Sequence, residues 1–273
     1  DPPNIIIASR AGLTFNDFLV HLAPLVILLM VAFIGLCRLL FRKAFTYDPE
    51  RAAEIMQLDE RAAVQDRRLL VQSLGVLAVV LAAFVLHPVL HYEPSVVALL
   101  GAGLLVLITK VKADDVLRDV EWPTLVFFIG LFVMVGALVN TGVIGAISEA
   151  AASAGAGRPA LTSMVLLWGS AGLSAIVDNI PYVAAMSPIV EHLVQQMPGG
   201  GTNGHVLWWA LALGADLGGN ATAIGASANV VVLGLAERNK SPITFWQFTR
   251  YGLVVALVTV AICTPYLWLR YLV

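Results

Sequence analysis

Apolar stretches of about 18 to 25 residues recur along the whole chain, each long enough to cross a hydrocarbon core of ~30 Å as a helix. A chain with this pattern has the membrane as its solvent and is expected to be all-α, a polytopic membrane protein. Composition agrees: of 273 residues, 59% are hydrophobic and 12% charged, where a soluble domain is about a quarter charged. A secreted disulfide scaffold, a nucleic-acid binder and a water-soluble enzyme are excluded. The balance of 16 Lys+Arg against 18 Asp+Glu leaves no basic field for nucleic acid. Cys37 and Cys263 both lie in apolar runs and read as small packing residues, not as a disulfide.

Apolar windows predict helices at 19–40, 69–87, 94–110 and 122–140, a double segment at 161–197, an interrupted one at 205–235 and a last span at 245–271. The polar stretch 41–68 keeps Ile55, Met56, Leu58 and Val64 at near-helical spacing among six basic residues, and reads as an amphipathic helix on the membrane surface. Lys and Arg favour the cytoplasmic side, so 41–68 is placed inside, and counting crossings puts Lys110, Lys112, Arg118, Arg238 and Lys240 inside as well. The weakly charged loops 88–93 and 141–160 then fall outside. Trp208, Trp209, Trp246, Trp268 and Tyr271 fall near span ends and are expected to be interfacial anchors. His87, His91 and Glu93 are expected to be interfacial loop residues, and Glu191 and His192 to close the second hairpin arm toward the outer aqueous side.

A repeat organises these spans. Asp1-Pro2-Pro3-Asn4-Ile5-Ile6-Ile7 lies on Ala226-Ser227-Ala228-Asn229-Val230-Val231-Val232, and the similarity continues through a polar loop into Leu13-Thr14-Phe15-Asn16-Asp17-Phe18 beside Ile243-Thr244-Phe245-Trp246-Gln247-Phe248. The orientation count puts the loop 10–17 outside and the loop 237–240 inside, so the copies have opposite topology. Inverted repeats with interrupted helices are a signature of secondary transporters, with the substrate site near the midplane between the repeats. The domain reading follows: 1–40 ends a first repeat, 41–68 is the interfacial helix, and 69–273 is a second repeat with scaffold spans at 69–140. The opening Asp1-Pro2-Pro3-Asn4, with no initiator Met and no signal-peptide pattern, is expected to be the middle of a longer element, so that the chain is a fragment.

Two places carry chemistry. The arms 161–176 and 182–196 reach only about 24 Å each, so they predict a re-entrant hairpin with its tip inside the protein. Its joint is Val177-Asp178-Asn179-Ile180-Pro181, where Pro181 donates no backbone hydrogen bond and forces the turn open. Freed carbonyls with the Asp178 carboxylate and the Asn179 amide make an oxygen-rich pocket suited to Na⁺ or a proton. The second place is the interrupted helix, whose Asp216, Asn220 and Asn229 are costly against lipid and must face a cavity or each other. Gly218-Gly219 permits unwinding; the restarted helix offers its amides to an anion, while freed carbonyls suit a cation.

The run GADLGGNATAIGASANVVVLGLAERN, the tip DNIPYVAAMSPIV, the segment VEWPTLVFFIGLFVMVGALVNTGVI and the opening DPPN closely resemble the ArsB/NhaD-type ion transporter superfamily. The nearest match is its melanosomal P-protein-like branch, beside citrate-transporter-like permeases; the group is related to the divalent-anion/sodium symporters. The resemblance covers essentially the whole chain and implies its C-terminal portion of a two-repeat transporter. In the symporter relatives each hairpin tip carries Ser-Asn-Thr, which helps bind Na⁺ and a substrate carboxylate. Here the matching tip is Asp178-Asn179-Ile180, so Asn179 carries over while Asp replaces Ser and Ile replaces Thr. That departure argues against dicarboxylate binding and for a coupling carboxylate. Gly219, Asn220, Thr222, Ser227 and Asn229, with Asn4 from the first repeat, carry over by position as site-lining groups, with Na⁺ at Asn179, Asn220 and Asn229.

The function expected is ion-gradient-coupled secondary transport of an inorganic ion or small anion, of Na⁺/H⁺ antiport or arsenite/anion permease type. The alternative is a sodium-coupled di- or tricarboxylate symporter. Behind these stand an intramembrane enzyme using Asp178 and Asp216 as an acid pair, and a channel. No nucleophile elbow, zinc-protease helix or ATP-binding signature is present, so the chain reads as no enzyme. No cofactor is expected beyond Na⁺ or H⁺ as coupling ion. The partners expected are membrane lipid and a small ion or anion, with no nucleic acid; the resemblance implies a homodimer and, for the arsenite type, a cytosolic ATPase subunit. The location expected is the cell membrane, as a multi-pass integral protein.

Overall fold

The computed structural model describes residues 2–42, 49, 53, 56, 64, 66–90, 92–109, 111–118, 120, 122–143, 145–147, 149–150, 158–196 and 205–272. The expected interfacial helix 41–68 lies mostly outside the described residues, as do His91 and Lys110. Among the described residues all regular structure is helical. The principal helices are α1 (Pro2–Ala11), α2 (Phe15–Leu40), α3 (Arg67–Val85), α4 (Pro94–Thr109), α5 (Trp122–Asn140), α6 (Pro159–Ser174), α7 (Asn179–Gln196), α8 (His205–Gly218), α9 (Ser227–Arg238) and α10 (Phe245–Leu267). Three described helices are long and apolar enough to cross a membrane: α2, α3 and Phe245–Leu272, which is α10 with its terminal turn. Pro94–Thr109 and Thr124–Asn140 are apolar but shorter.

The chain divides into two compact units. One comprises Thr14–His21 and Cys37–Leu125. In it Thr14 starts α2 through a reciprocal capping box: its hydroxyl accepts from the Asp17 amide at 3.3 Å and its own amide donates to Asp17 Oδ2 at 2.7 Å. Asp66 caps α3, accepting from the amides of Arg68 and Leu69 at 2.8 and 3.0 Å. The Asn16 amide donates to the Val85 carbonyl at the far end of α3, at 2.8 Å. α3 and α4 touch where Gly101 meets Val76 and Val80; a Cβ at Gly101 would collide with the Val80 side chain. Most of their other apolar side chains face outward, Leu99 and Leu107 being 74% and 77% exposed. Hydrocarbon is the solvent that makes such a surface stable.

The other unit comprises Asp1–Leu13, Leu22–Leu36 and Val126–Val273, with α8 at its centre. Every residue of α8 from Val206 to Ala215 is buried, and so is Gly218. α6 lies along it at backbone contact: a Cβ at Gly214 would strike the Leu167 carbonyl, and one at Gly218 the backbone of Ala171. Small residues one turn apart are how membrane helices bring their backbones together, without any apolar driving force between them. Ser174 then donates its hydroxyl to the Ala215 carbonyl at 2.7 Å, and Tyr182 of α7 to Ser170 Oγ at 3.0 Å. α1 packs against α7 and α8 through buried Pro3 and Ile7. Leu131 and Val135 of α5 close on Ala184 and Ile6.

One expectation is corrected here. Trp208 and Trp209 are 2% and 0% exposed and form part of the core around α8, not interfacial anchors. Their position at the start of a span suggested an interface, but α8 is enclosed by protein from its first turn. Trp246 and Trp268 do lie open, at 76% and 45%. Cys263 is buried and Cys37 half-buried, and both are free thiols.

Candidate functional site

α6 and α7 form the hairpin, with α7 starting at Asn179, two residues before Pro181. Pro181 therefore sits in the first turn of α7, where a missing N–H has no intrahelical acceptor to lose. Asp178 makes the turn by capping: its Oδ1 accepts from the Ile180 amide at 3.0 Å, and its carbonyl accepts from the Tyr182 amide at 3.2 Å. The side chain of Asn179 is buried beside it.

α8 ends at Gly218, and a single 3-10 turn, Gly219–Ala221, follows before the backbone leaves the helix. Thr222 is extended, with φ −131° and ψ 164°, and Ala226 is extended again at φ −151° and ψ 141° before α9 begins. The unwound segment is thus 222–226, just beyond the Gly218-Gly219 pair. Two glycines make the crossing tight. A Cβ at Gly219 would lie 2.8 Å from the Gly225 carbonyl oxygen, and one at Gly225 would lie 2.6 Å from the Gly219 carbonyl oxygen and 2.9 Å from that of Ser174.

The hairpin tip and the break are stitched together. The backbone N–H of Asn179 donates to the Gly225 carbonyl at 3.2 Å, and Thr222 Oγ1 donates to the Ala175 carbonyl at 2.5 Å. Asn229 reaches back from the first turn of α9, its Nδ2 donating to the carbonyls of Gly219 and Thr222, each at 2.9 Å. Gly219, Thr222 and Gly225 in this segment therefore each offer a carbonyl that already accepts a hydrogen bond from the protein. Asn220 is exposed, with its Nδ2 3.4 Å from the Asp216 carbonyl. Ser227 is exposed at the start of α9, whose N-cap Ala226 supplies no side-chain acceptor.

Asp216 and Asn4 stand one turn before the break, on α8 and α1. Asn4 Nδ2 donates to Asp216 Oδ2 at 2.8 Å. The remaining oxygens, Asp216 Oδ1 and Asn4 Oδ1, are closed to solvent and have no hydrogen-bond partner among the described residues. Near the other end of α1, Arg10 meets Glu191 of α7 in an ion pair of 3.4 Å with both side chains substantially exposed. His192, expected with Glu191 on the outer side, bonds through its ring to Gln196 at 2.7 Å.

The structure thus brings Asn179, Gly219, Thr222 and Asn229 into one hydrogen-bonded joint with the hairpin turn capped by Asp178, and sets Asn4 with Asp216 beside it. Sequence reading missed Gly225 and Gly252. Gly252 lets α10 lie against the 3-10 turn, since a Cβ there would strike the Asn220 carbonyl. A glycine within a polar run such as Gly225 is a visible signal; Gly252, in an apolar span, carries none.

A family model described as citrate transporter matches residues 1–214. The chain belongs to the citrate transporter family. Relatives of this citrate-transporter-family chain include a "46 kDa membrane protein" of Mycobacterium leprae, 54% identical over 100% of this chain and 63% of that protein. An "uncharacterized transporter" of Mycobacterium tuberculosis is 55% identical over 100% of the chain and 63% of its own length. The P protein of Mus musculus is 36% identical over 83% of the chain and 28% of its own length. The chain spans 63% of the length of the mycobacterial relatives. No solved structure matches it. Family membership together with its apolar helices makes it a multi-pass integral membrane protein.

Proposed function

We propose that this chain carries the moving, ion-binding part of a secondary transporter that couples the flux of an inorganic ion or small anion to an ion gradient. The observation that carries the reading is the joint between the hairpin tip and the unwound segment 222–226, made by the Asn179–Gly225 and Thr222–Ala175 hydrogen bonds. Irregular backbone at membrane depth is tolerated only where protein or a water-lined cavity satisfies it, and broken helices of this kind are where transporters bind their cargo. The two helix starts at the joint differ. α7 is closed by the Asp178 carboxylate, whereas α9 begins without a side-chain cap and leaves its first amides for an anion. The family description supports a second reading, in which the anion is a citrate-like carboxylate.

The test is flux in proteoliposomes. With an imposed Na⁺ or proton gradient, labelled citrate or arsenite should accumulate above equilibrium, or Na⁺ and H⁺ should exchange, and the effect should collapse when an ionophore dissipates the gradient. Ala226→Asp supplies α9 with the kind of cap that closes α7. If the cargo is an anion, A226D should stay folded and lose about tenfold or more of its flux, as a carboxylate would then occupy the anion's place. Flux that only ever runs downhill would favour a channel and overturn the proposal.

A further inference from the structure

We propose that the groove between the two arms of the hairpin, α6 and α7, holds one acyl tail of an anionic phospholipid whose phosphate is met by Arg158 at the groove's mouth. The site includes none of the residues of the joint and does not rest on the transporter reading above.

Helical period builds the groove. On α6, Leu161, Val165, Gly169 and Leu173 recur every four residues, and on α7 the lining runs from Tyr182 to Leu193 in steps of three and four, so each arm presents one stripe to the space between them. The stripes bound a cavity of about 360 Å³, the size of a small-molecule site, with no charged side chain among its described lining. Gly169 keeps it open: a Cβ there would meet nothing within 4 Å, in contrast to Gly214 and Gly218 of α8, whose side-chain places are taken by the backbone of α6. The hydroxyls along the lining are engaged within the protein, Tyr182 donating to Ser170 Oγ at 3.0 Å and Thr162 to the Arg158 carbonyl at 3.2 Å. The groove therefore offers a ligand apolar contact and little else.

Length, depth and charge select the occupant. From Leu161 to Leu173 the groove follows α6 for about 18 Å at 1.5 Å per residue, close to one leaflet, or half of a ~30 Å hydrocarbon core. Its mouth lies at the boundary of that core. α6 runs parallel to α8, Leu167 beside Gly214 and Ala171 beside Gly218, while α10 runs back along α8 from the break, where Gly252 meets Asn220, through buried Ala256, Val260 and Cys263. The terminal turn Trp268–Leu272 that touches α6 is thus level with the start of α6. There Trp268 is exposed and the Arg270 guanidinium lies over the rings of Tyr266 and Tyr271, the aromatic and basic girdle of a membrane interface. Arg158 stands in the same layer, one residue before α6, its carbonyl held by the Thr162 amide at 3.0 Å. Among the described residues it makes no ion pair, and Glu191, the acid at this end of α7, is held by Arg10. A guanidinium in the headgroup layer is suited to a phosphate, and its charge favours a lipid of net negative charge. A neutral apolar molecule has no use for the arginine and a water-soluble anion has none for the groove; an anionic phospholipid uses both.

The test is saturable photolabelling. The full-length protein in mild detergent would be titrated with phosphatidylglycerol carrying a diazirine near the end of one tail, irradiated, and mapped by peptide mass spectrometry. Adducts at the deep end of the groove, on Leu173 and Tyr182, are expected to saturate and to be chased by unlabelled phosphatidylglycerol, whereas those on outward-facing Leu99 and Leu107 should rise in proportion to the probe. Gly169→Leu fills the groove where there is room for a side chain, and should cut the saturable adducts about tenfold or more. Arg158→Gln, outside the helix, should weaken phosphatidylglycerol severalfold, toward the affinity of a phosphatidylcholine probe. Should G169L fail to remain monodisperse, R158Q decides alone. Adducts that never saturate, or saturable adducts unaltered by either variant, overturn the site. So does a groove without adducts, covered by another part of the chain or by a second copy; disulfide-linked dimers of Val165→Cys would identify the second copy. Flux is no part of this readout, so an absence of coupled transport would sink the transporter reading and leave the lipid site standing, and unsaturable labelling would do the reverse.

Discussion

The Asp178 carboxylate spends one oxygen on the Ile180 amide, as the N-cap of α7, so its replacement tests a cap before it tests a charge. Asparagine caps nearly as well as aspartate, and alanine does not cap at all. We therefore expect Asp178→Asn to unfold within about 0.5 kcal/mol of wild type and Asp178→Ala to lose about 1 kcal/mol, measured by thermal or denaturant unfolding in detergent. Equal losses in both variants would mean that the carboxylate's charge, not its cap, holds the tip. The polar residues of this joint stood out in the sequence because apolar spans make each of them expensive. Which oxygen bonds to which hydrogen was not legible. Asn229 presents its Nδ2 to two carbonyls and Asp216 keeps an oxygen without a donor among the described residues, and both outcomes depend on contacts made across more than one helix.

At the scale of elements, the α6–α8 pair depends on the absence of side chains. Gly214 and Gly218 are spaced by four residues on one face of α8, and their places are filled by the backbone of α6 around Leu167 and Ala171. Gly218→Ala must push that backbone away, and should destabilise by about 1–3 kcal/mol. Gly234 in α9 meets nothing within 4 Å, so Gly234→Ala should instead stabilise by about 0.5–1 kcal/mol through better helix propensity. The pair is checked by comparing unfolding midpoints of the two variants; a neutral G218A would mean that α6 and α8 do not touch at backbone range. The helices themselves were legible from apolar run length: the windows at 94–110 and 122–140 correspond to Pro94–Thr109 and Trp122–Asn140. What run length does not report is enclosure. Trp208 and Trp209 sit in an apolar window like those that face lipid, and the packing of α6, α7 and α10 around α8 makes them core.

Across the whole molecule, the repeat found in the sequence has a counterpart in backbone detail. α1 ends with Gly12 in the left-handed region at φ 65° and a hydrogen bond from the Leu13 amide to the Ala8 carbonyl at 3.0 Å. α9 ends with Lys240 at φ 58° and the same six-residue closure, Ser241 amide to Ala236 carbonyl at 3.0 Å. Each loop then restarts a long apolar helix from a threonine cap, Thr14 for α2 and Thr244 for α10, where Thr244 Oγ1 accepts from the Gln247 amide at 3.2 Å. A lysine at a position that favours glycine costs roughly 1–2 kcal/mol, so the second copy keeps the turn against local preference. If the copies are inverted, as the distribution of basic residues implies, these two matching loops open on opposite sides of the membrane. Single cysteines at Ser9 and Asn239, both exposed, would then label from opposite faces with an impermeant thiol reagent, the first from outside and the second only once the cytoplasmic face is opened. Cys37 and Cys263 would be replaced beforehand, with alanine at the buried Cys263 to avoid stranding a polar atom. Labelling of both positions from one face would make the copies parallel, and a site lying between inverted halves would lose its geometric basis.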